Sequence, residues 1–176
     1  MDLTKDKKRE FIQYIEQINK SANEAQKKER FLSLLERIFS NNRKIKNIID
    51  KFTSGAETHL KITREEKKSS RYADTQYENV IVEFENSLKR TEAHAKGQLL
   101  EYLSAIYSSS QKINYKLISS DGIRWIIYYL DITGVKNKEI NWDNINLLKK
   151  KEEFTLTEKN YEDFYYFISK HLFQAV

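Results

Sequence analysis

The sequence predicts an α/β (α+β) protein in which a central mixed sheet of four to five strands is flanked by helices, behind a helical N-terminal region. Three observations carry this expectation. Apolar residues recur at helical spacing from the N-terminus to Phe52, the spacing changes to a period of two near Glu57, and helical spacing then returns between two hairpin signals. The 176 residues are expected to form a single domain, with a helical region over 1–54, the sheet over 55–130 and a C-terminal helical region over 131–176.

Residues 4–20 place Phe11, Tyr14, Ile15 and Ile18 on one helical stripe. Residues 22–39 predict a second helix whose broad apolar face includes Phe31, Leu35 and Phe39; Ser40-Asn41-Asn42 ends it, because short polar side chains compete for backbone hydrogen bonds. A shorter third helix is expected over 43–52, closed by Ser54-Gly55. Residues 57–62 alternate as a strand, residues 63–70 read as a charged loop, and a hairpin follows over 71–85. Residues 91–107 return to the helical period, with Leu99, Leu103 and Ile106 on one stripe and Gln98 and Tyr102 beside it. Ile113, Tyr115 and Leu117 then alternate, and Asp121-Gly122 predicts a two-residue turn into a strand over 123–130. A short helix over 142–151 and a longer one over 158–173 complete the chain.

Composition limits the chemistry. The chain has no cysteine, which excludes disulfides and thiolate zinc sites. Its four glycines form neither a nucleophile elbow nor a phosphate-cradling loop, which argues against a serine hydrolase or an ATP-driven motor. The opening MDLTKDKKREF lacks the apolar core of a signal peptide, and no run approaches the ~18 apolar residues of a membrane span, so a cytoplasmic location is expected. A formal charge of +5 and a pI of about 9.1 permit binding to a polyanion, and equally serve solubility alone. His59, His94 and His171 have no metal-ligand spacing; His94, one helical turn before Gln98, is the one that can approach a site on that helix.

The stretch RYADTQYENVIVEFE, residues 71–85, holds the candidate site. A two-residue loop at Glu78-Asn79 sets Tyr77 opposite Val80 and Asp74 opposite Glu83, with Cβ atoms about 5 Å apart; Glu85 shares that face. Val80, Val82 and Phe84 take the other face, expected to be the buried one. Opposed like charges destabilise a sheet and crowded carboxylates raise one another's pKa, a penalty that a divalent cation with a preference for hard oxygen ligands removes. The hairpin alone leaves two readings open: a magnesium or manganese site, or a solvated face whose acids pair with Lys and Arg.

Three segments, RYADTQYENVIVEFEN, AKGQLLEYL and LISSDGIRWIIYY, together resemble the PD-(D/E)XK nuclease superfamily, and more closely the N-terminal endonuclease domain of combined restriction-modification enzymes. In order they are similar to a GRxD-type strand leading to an ExE or ExK strand, a QLxxY helix and a TDGxxW hairpin, over roughly residues 55–130. The resemblance implies a restriction-endonuclease-like fold and a metal-dependent endonuclease that hydrolyses DNA phosphodiesters in restriction-modification or phage defence. It implies Mg2+, with Mn2+ as substitute, held by Asp74, Glu83 and the main-chain carbonyl of Phe84, with Glu57 or an acid of the second helix, Glu24 or Glu29, as an additional ligand. Gln98 would orient water or a phosphate. Glu85 departs from the commonest pattern, in which lysine stabilises the developing phosphorane charge; Lys96 or Lys89 would supply the cation, or a second metal would. Arg64, Lys67, Lys68 and Arg71, with Lys44 and Lys46, are the expected phosphate contacts. The implied partners are DNA, methyltransferase and target-recognition domains or subunits, and a second copy for double-strand cleavage. The alternative function is a nuclease-like module that no longer cleaves and binds nucleic acid or assembles with other chains. Trp125 and the Tyr-rich segment 161–167 read as core or packing surface.

Overall fold

The computed structural model describes residues 5–39, 41–54, 59–64, 67–72, 75–77, 79–137 and 139–173, with main chain alone for those between 51 and 77. Three helices open the chain: α1 (Lys5–Asn19), α2 (Glu24–Phe39) and α3 (Arg43–Ser54). Asn23 caps α2 by accepting from the Gln26 amide at 3.0 Å while the Gln26 side chain accepts from the Ala22 amide at 2.8 Å, a reciprocal arrangement that satisfies two otherwise orphaned donors. Asn42 caps α3 through the Ile45 amide at 3.1 Å.

Strands β1 (His59–Arg64) and β2 (Lys67–Tyr72) pair antiparallel as a separate ribbon, in the register Ile62↔Ser69. The expected charged loop over 63–70 is thus mostly strand. Its polar residues gave no apolar alternation to read, and the pairing with β1 satisfies its backbone instead. The main sheet has the order β3 (Thr75–Tyr77), β4 (Val80–Phe84), β5 (Lys116–Ser120), β6 (Arg124–Leu130) and β7 (Leu148–Thr155). Among the described strands only β4 and β5 run parallel, as a crossover through the 23-residue helix α4 (Leu88–Ser110) allows. The expectation of a mixed sheet flanked by helices therefore holds.

Each face of the sheet has its own core. On one side Phe11, Tyr14, Phe31, Leu35, Val82, Phe84, Trp125 and Phe164 pack together. Trp125 sits 4.6 Å from Phe31 and 5.8 Å from Phe164 between ring centroids, which confirms its core role. On the other side α4 lays Leu99 and Leu103 over Ile81, Leu117, Ile126 and Tyr128.

The hairpin between β5 and β6 turns one residue later than expected: Asp121 and Arg124 are bridged by a main-chain hydrogen bond of 3.2 Å, so Gly122-Ile123 form the loop. The Asp121 carboxylate takes over part of the turn's bonding, accepting from the amides of Ile123 at 3.1 Å and Arg124 at 2.8 Å. Its other oxygen accepts from the Leu88 amide at 3.1 Å, so Asp121 caps α4 across the fold where Ser87 makes no side-chain cap. Gly122 has φ +92° and its carbonyl accepts from the Tyr14 hydroxyl at 2.6 Å. A Cβ there would come within 2.8 Å of Ile18 Cδ1, so both the conformation and the approach of α1 require glycine.

The C-terminal part differs from expectation. In place of a helix over 142–151 there is a 3-10 turn, Ile145–Leu147, followed by β7. The spacing of Trp142, Ile145 and Leu148 imitates a helix, yet Trp142, Ile145 and Leu147 pack from irregular chain against the α4-side core while Leu148 begins the pairing that covers β6. The last helix is shorter than expected: α5 (Tyr161–Ile168) passes into a π-helical turn, Ser169–Phe173.

Candidate functional site

The site is built at the carboxyl end of β4, under α4. The β3–β4 register is the expected one, with Tyr77 opposite Val80 and Thr75 opposite Val82. Asp74, the next position, lies outside the described residues, as does Glu57. Along β4 the side chains of Val80, Val82 and Phe84 enter the core of α1, α2 and α5, while Ile81 joins the core of α4. Alternation puts Glu83 on the α4 side too. The expectation of a single buried face is corrected here: all five residues of β4 are buried, because α4 covers the second face. Glu83 is 3% exposed and Glu85 1%, so neither belongs to a solvated hairpin surface.

Burying carboxylates is costly unless they are paired, hydrogen-bonded or metal-bound. Glu85 accepts a contact from His94 of α4, Nδ1 to Oε1 at 2.8 Å, and its main-chain N–H donates to the Ser120 carbonyl at 2.8 Å. The His94 side chain is 63% exposed, so this contact links a buried carboxylate to a solvent-facing imidazole. Gln98, one turn further along the same side of α4, is half-buried. Phe84 commits its side chain to the opposite face, 5.8 Å from Phe31 and 5.9 Å from Trp125, so any role at the acidic face falls to its main chain. Lys27 of α2 reaches the turn after β4 and donates to the Asn86 carbonyl at 2.6 Å. Glu24 and Glu29 of the same helix are exposed, and so is Lys89 of α4.

A polar layer continues from Glu83 across the sheet. Ser119 is the parallel partner of Glu83 and is fully buried; its hydroxyl and that of Tyr128 are 2.9 Å apart. Burial pushes the Tyr128 phenol well above its ordinary value, so it stays a neutral hydrogen-bonding group. Tyr128 also donates to Glu92 at 3.5 Å, and Glu92 is flanked by Lys96 at 3.8 Å and Arg124 at 3.7 Å. The Lys96 ammonium lies 5.4 Å from the centre of the Tyr128 ring. Lys96 is thus directed over β6, toward Glu92 and Tyr128, while His94 takes the contact with Glu85.

Among the expected site residues, the structure sets Glu83 and Glu85 on one side of the end of β4 and His94 against Glu85, while Gln98 lies one turn further along α4. For Arg64, Lys67, Lys68 and Arg71 it gives a backbone position only, on the β1–β2 ribbon. Lys44 and Lys46 lie on α3 and are exposed. Sequence reasoning missed Ser119, Glu92 and Arg124, whose involvement depends on pairing between strands and on which way α4 is turned. Their only sequence signal was position: Glu92 lies four residues before Lys96, the spacing of a helical ion pair.

Two carboxylates of this kind suit a hard divalent cation, which prefers oxygen donors. Among the described residues no three acidic, histidine or cysteine side chains converge as a metal-binding group. The acid expected to hold the metal with Glu83 is Asp74, which lies outside the described residues. Comparison with protein-family models, with curated proteins and with solved structures finds no match.

Proposed function

We propose that the chain is a magnesium-dependent DNA endonuclease domain with a restriction-endonuclease-like fold, of the kind that works within restriction-modification or phage defence. The observation that carries the reading is the pair of buried carboxylates, Glu83 and Glu85, at the carboxyl end of a central strand, beneath a helix that brings His94 against Glu85. The order of hairpin, crossover helix and Asp-Gly hairpin supports it further. Glu83, with Asp74 and the Phe84 carbonyl, would hold the metal, which when bound supplies an activated water and neutralises charge developing on the phosphate. Glu85 holds His94 at the site edge, where the imidazole takes the place that lysine usually occupies beside the phosphate. Gln98 positions the attacked phosphate or the water. The ribbon carrying Arg64, Lys67, Lys68 and Arg71, within a chain of net charge +5, provides the contacts to the DNA backbone. Methyltransferase and target-recognition domains or subunits would supply sequence specificity, and a second copy the second cut.

The test is nicking of supercoiled plasmid DNA by the full chain with magnesium or manganese. Asp74→Ala and Glu83→Ala should each lower the rate at least about a hundredfold, and chelator should abolish it. Nicking that survives either treatment refutes the reading. A second reading, a nuclease-like module that binds without cleaving, is favoured by Glu85 in place of lysine and by the engagement of Lys96 with Glu92 and Tyr128. Calorimetric titration with manganese separates the two: the nuclease reading expects a site that is lost in Asp74→Ala, the binding-only module none.

A further inference from the structure

A cavity of about 330 Å3, lined by several charged side chains, opens at the other end of the parallel strands, beside the C-terminal helical turn. Lys116 opens β5 opposite Val80, three residues and roughly 10 Å along the strand from the level of Glu83. Two irregularities of the backbone converge on this cavity. Opposite Ile127 and Tyr128 the β6–β7 register shifts, so that Glu152 pairs with Ile127 and Lys150 with Tyr128, leaving Lys151 as an extra residue. In a regular strand Lys151 and Glu152 would point to opposite faces; the bulge lets both line one cavity. The second irregularity is the π-helical turn Ser169–Phe173, which brings Lys170 and His171 to the same wall.

The lining is rich in cations. Lys116 donates to the His171 carbonyl at 3.2 Å, which fixes its ammonium at the cavity wall. Burial and the nearby Lys151 and Lys170 hold the Lys116 amine below its ordinary pKa, the mark of ammonium groups crowded together. The one carboxylate in the lining among the described residues, Glu152, is already taken by Lys170 at 3.1 Å and by His171 Nε2 at 2.9 Å. His171 is 3% exposed, and its Nδ1 has no hydrogen-bond partner among the described residues. Tyr129, 47% exposed, stands at the rim and offers an aromatic face.

We propose that this cavity binds a phosphate group, with Lys116, Lys151 and Lys170 as its charge partners. An oxyanion relieves the mutual repulsion of the three ammonium groups, as a metal relieves that of crowded carboxylates. The phosphate comes either from a nucleic-acid backbone, with Tyr129 stacking on a base, or from a free phosphate ion or ester. The proposal does not depend on the nuclease reading, since it uses none of the residues around Glu83.

The test titrates the full chain with inorganic phosphate at constant ionic strength and follows its amide and histidine ring signals by NMR. Saturable shifts confined to residues around Lys116, Lys151 and Lys170 are expected, with chloride producing none. The His171 ring, which faces Lys116, Lys170 and Glu152, should titrate at higher pH when phosphate is bound, because an anion beside it favours imidazolium. Lys151→Gln/Lys170→Gln, at two exposed positions that should leave the fold intact, should weaken phosphate binding at least tenfold. A single-stranded oligonucleotide that displaces the phosphate and is itself weakened by the double variant identifies a backbone phosphate; one indifferent to the variant identifies a free phosphate. Shifts that do not saturate, or that persist unchanged in the double variant, overturn the proposal.

Discussion

Asp121 joins the fold to the candidate site, and replacing it gives a prediction whose size follows from its three bonds. One carboxylate oxygen accepts from the Ile123 and Arg124 amides at 3.1 and 2.8 Å, and the other from the Leu88 amide at 3.1 Å. Losing an N-cap costs about 0.5–2 kcal/mol, and Leu88 is fully buried, which places the cost toward the upper end. The two amides of the turn lie beside a half-buried carboxylate where water can partly replace it, so their loss adds roughly 1–2 kcal/mol. Asp121→Ala should therefore destabilise the protein by about 2–4 kcal/mol, a fall in melting temperature of roughly 5–15 °C at this chain length. Asp121→Asn keeps an acceptor for the turn but sets an amide N–H2 against the Leu88 N–H, and should cost about 1–2 kcal/mol. Urea unfolding measures both, and hydrogen exchange at Leu88 should quicken in both variants because α4 loses its cap. An Asp121→Ala variant within about 0.5 kcal/mol of the parent, or an Asn variant as damaged as the Ala one, would refute the three-bond account.

Two further outcomes follow from the fold. Gly122→Ala should cost about 2–4 kcal/mol, combining left-handed strain with the 2.8 Å approach to Ile18 Cδ1. Adding Ile18→Ala should recover part of that cost in a double-mutant cycle, and strict additivity would contradict the steric argument. His171 is held below its ordinary 6.5, chiefly by burial, against the opposing pull of Glu152. Glu153 is held below 4.5 by hydrogen bonds from Arg124 and Lys150. In both cases the unfolded chain takes up its proton first as pH falls, so stability is fully present above 6.5 and declines below it, first through the range of His171 and then through that of Glu153. Urea midpoints should fall on acidification from neutral pH, and His171→Gln should flatten the upper part of the curve; midpoints that rise would show the sign to be wrong.

Much of the fold was legible where one periodicity ran unbroken. The stripes Phe11-Tyr14-Ile18 and Leu99-Leu103-Ile106 located α1 and α4 because each faces a single core. β2 was hidden, since KKSSRY carries no apolar alternation and forms a ribbon outside the main sheet. β7 was hidden for the opposite reason: Trp142, Ile145 and Leu148 have helical spacing, but the open edge of β6 is what settles the local structure. At the site, the hairpin register and the acids on one side of it could be read from the turn chemistry. That this side is covered, and that His94 rather than Lys96 meets Glu85, depends on how α4 is rotated on the sheet. Asp121-Gly122 was legible as a turn, but the capping of α4 and the close approach of Ile18 are tertiary facts that no local signal carries.

If the acids at the end of β4 hydrolyse a phosphodiester with a divalent metal, as we propose, the charge of Glu83 is indispensable. The most direct measurement is the magnesium-dependent nicking rate of Glu83→Gln, compared with the parent protein at equal folded fraction. This isosteric loss of one charge should lower the rate at least about a hundredfold while the protein stays folded. A folded Glu83→Gln protein that nicks at the parent rate would contradict it.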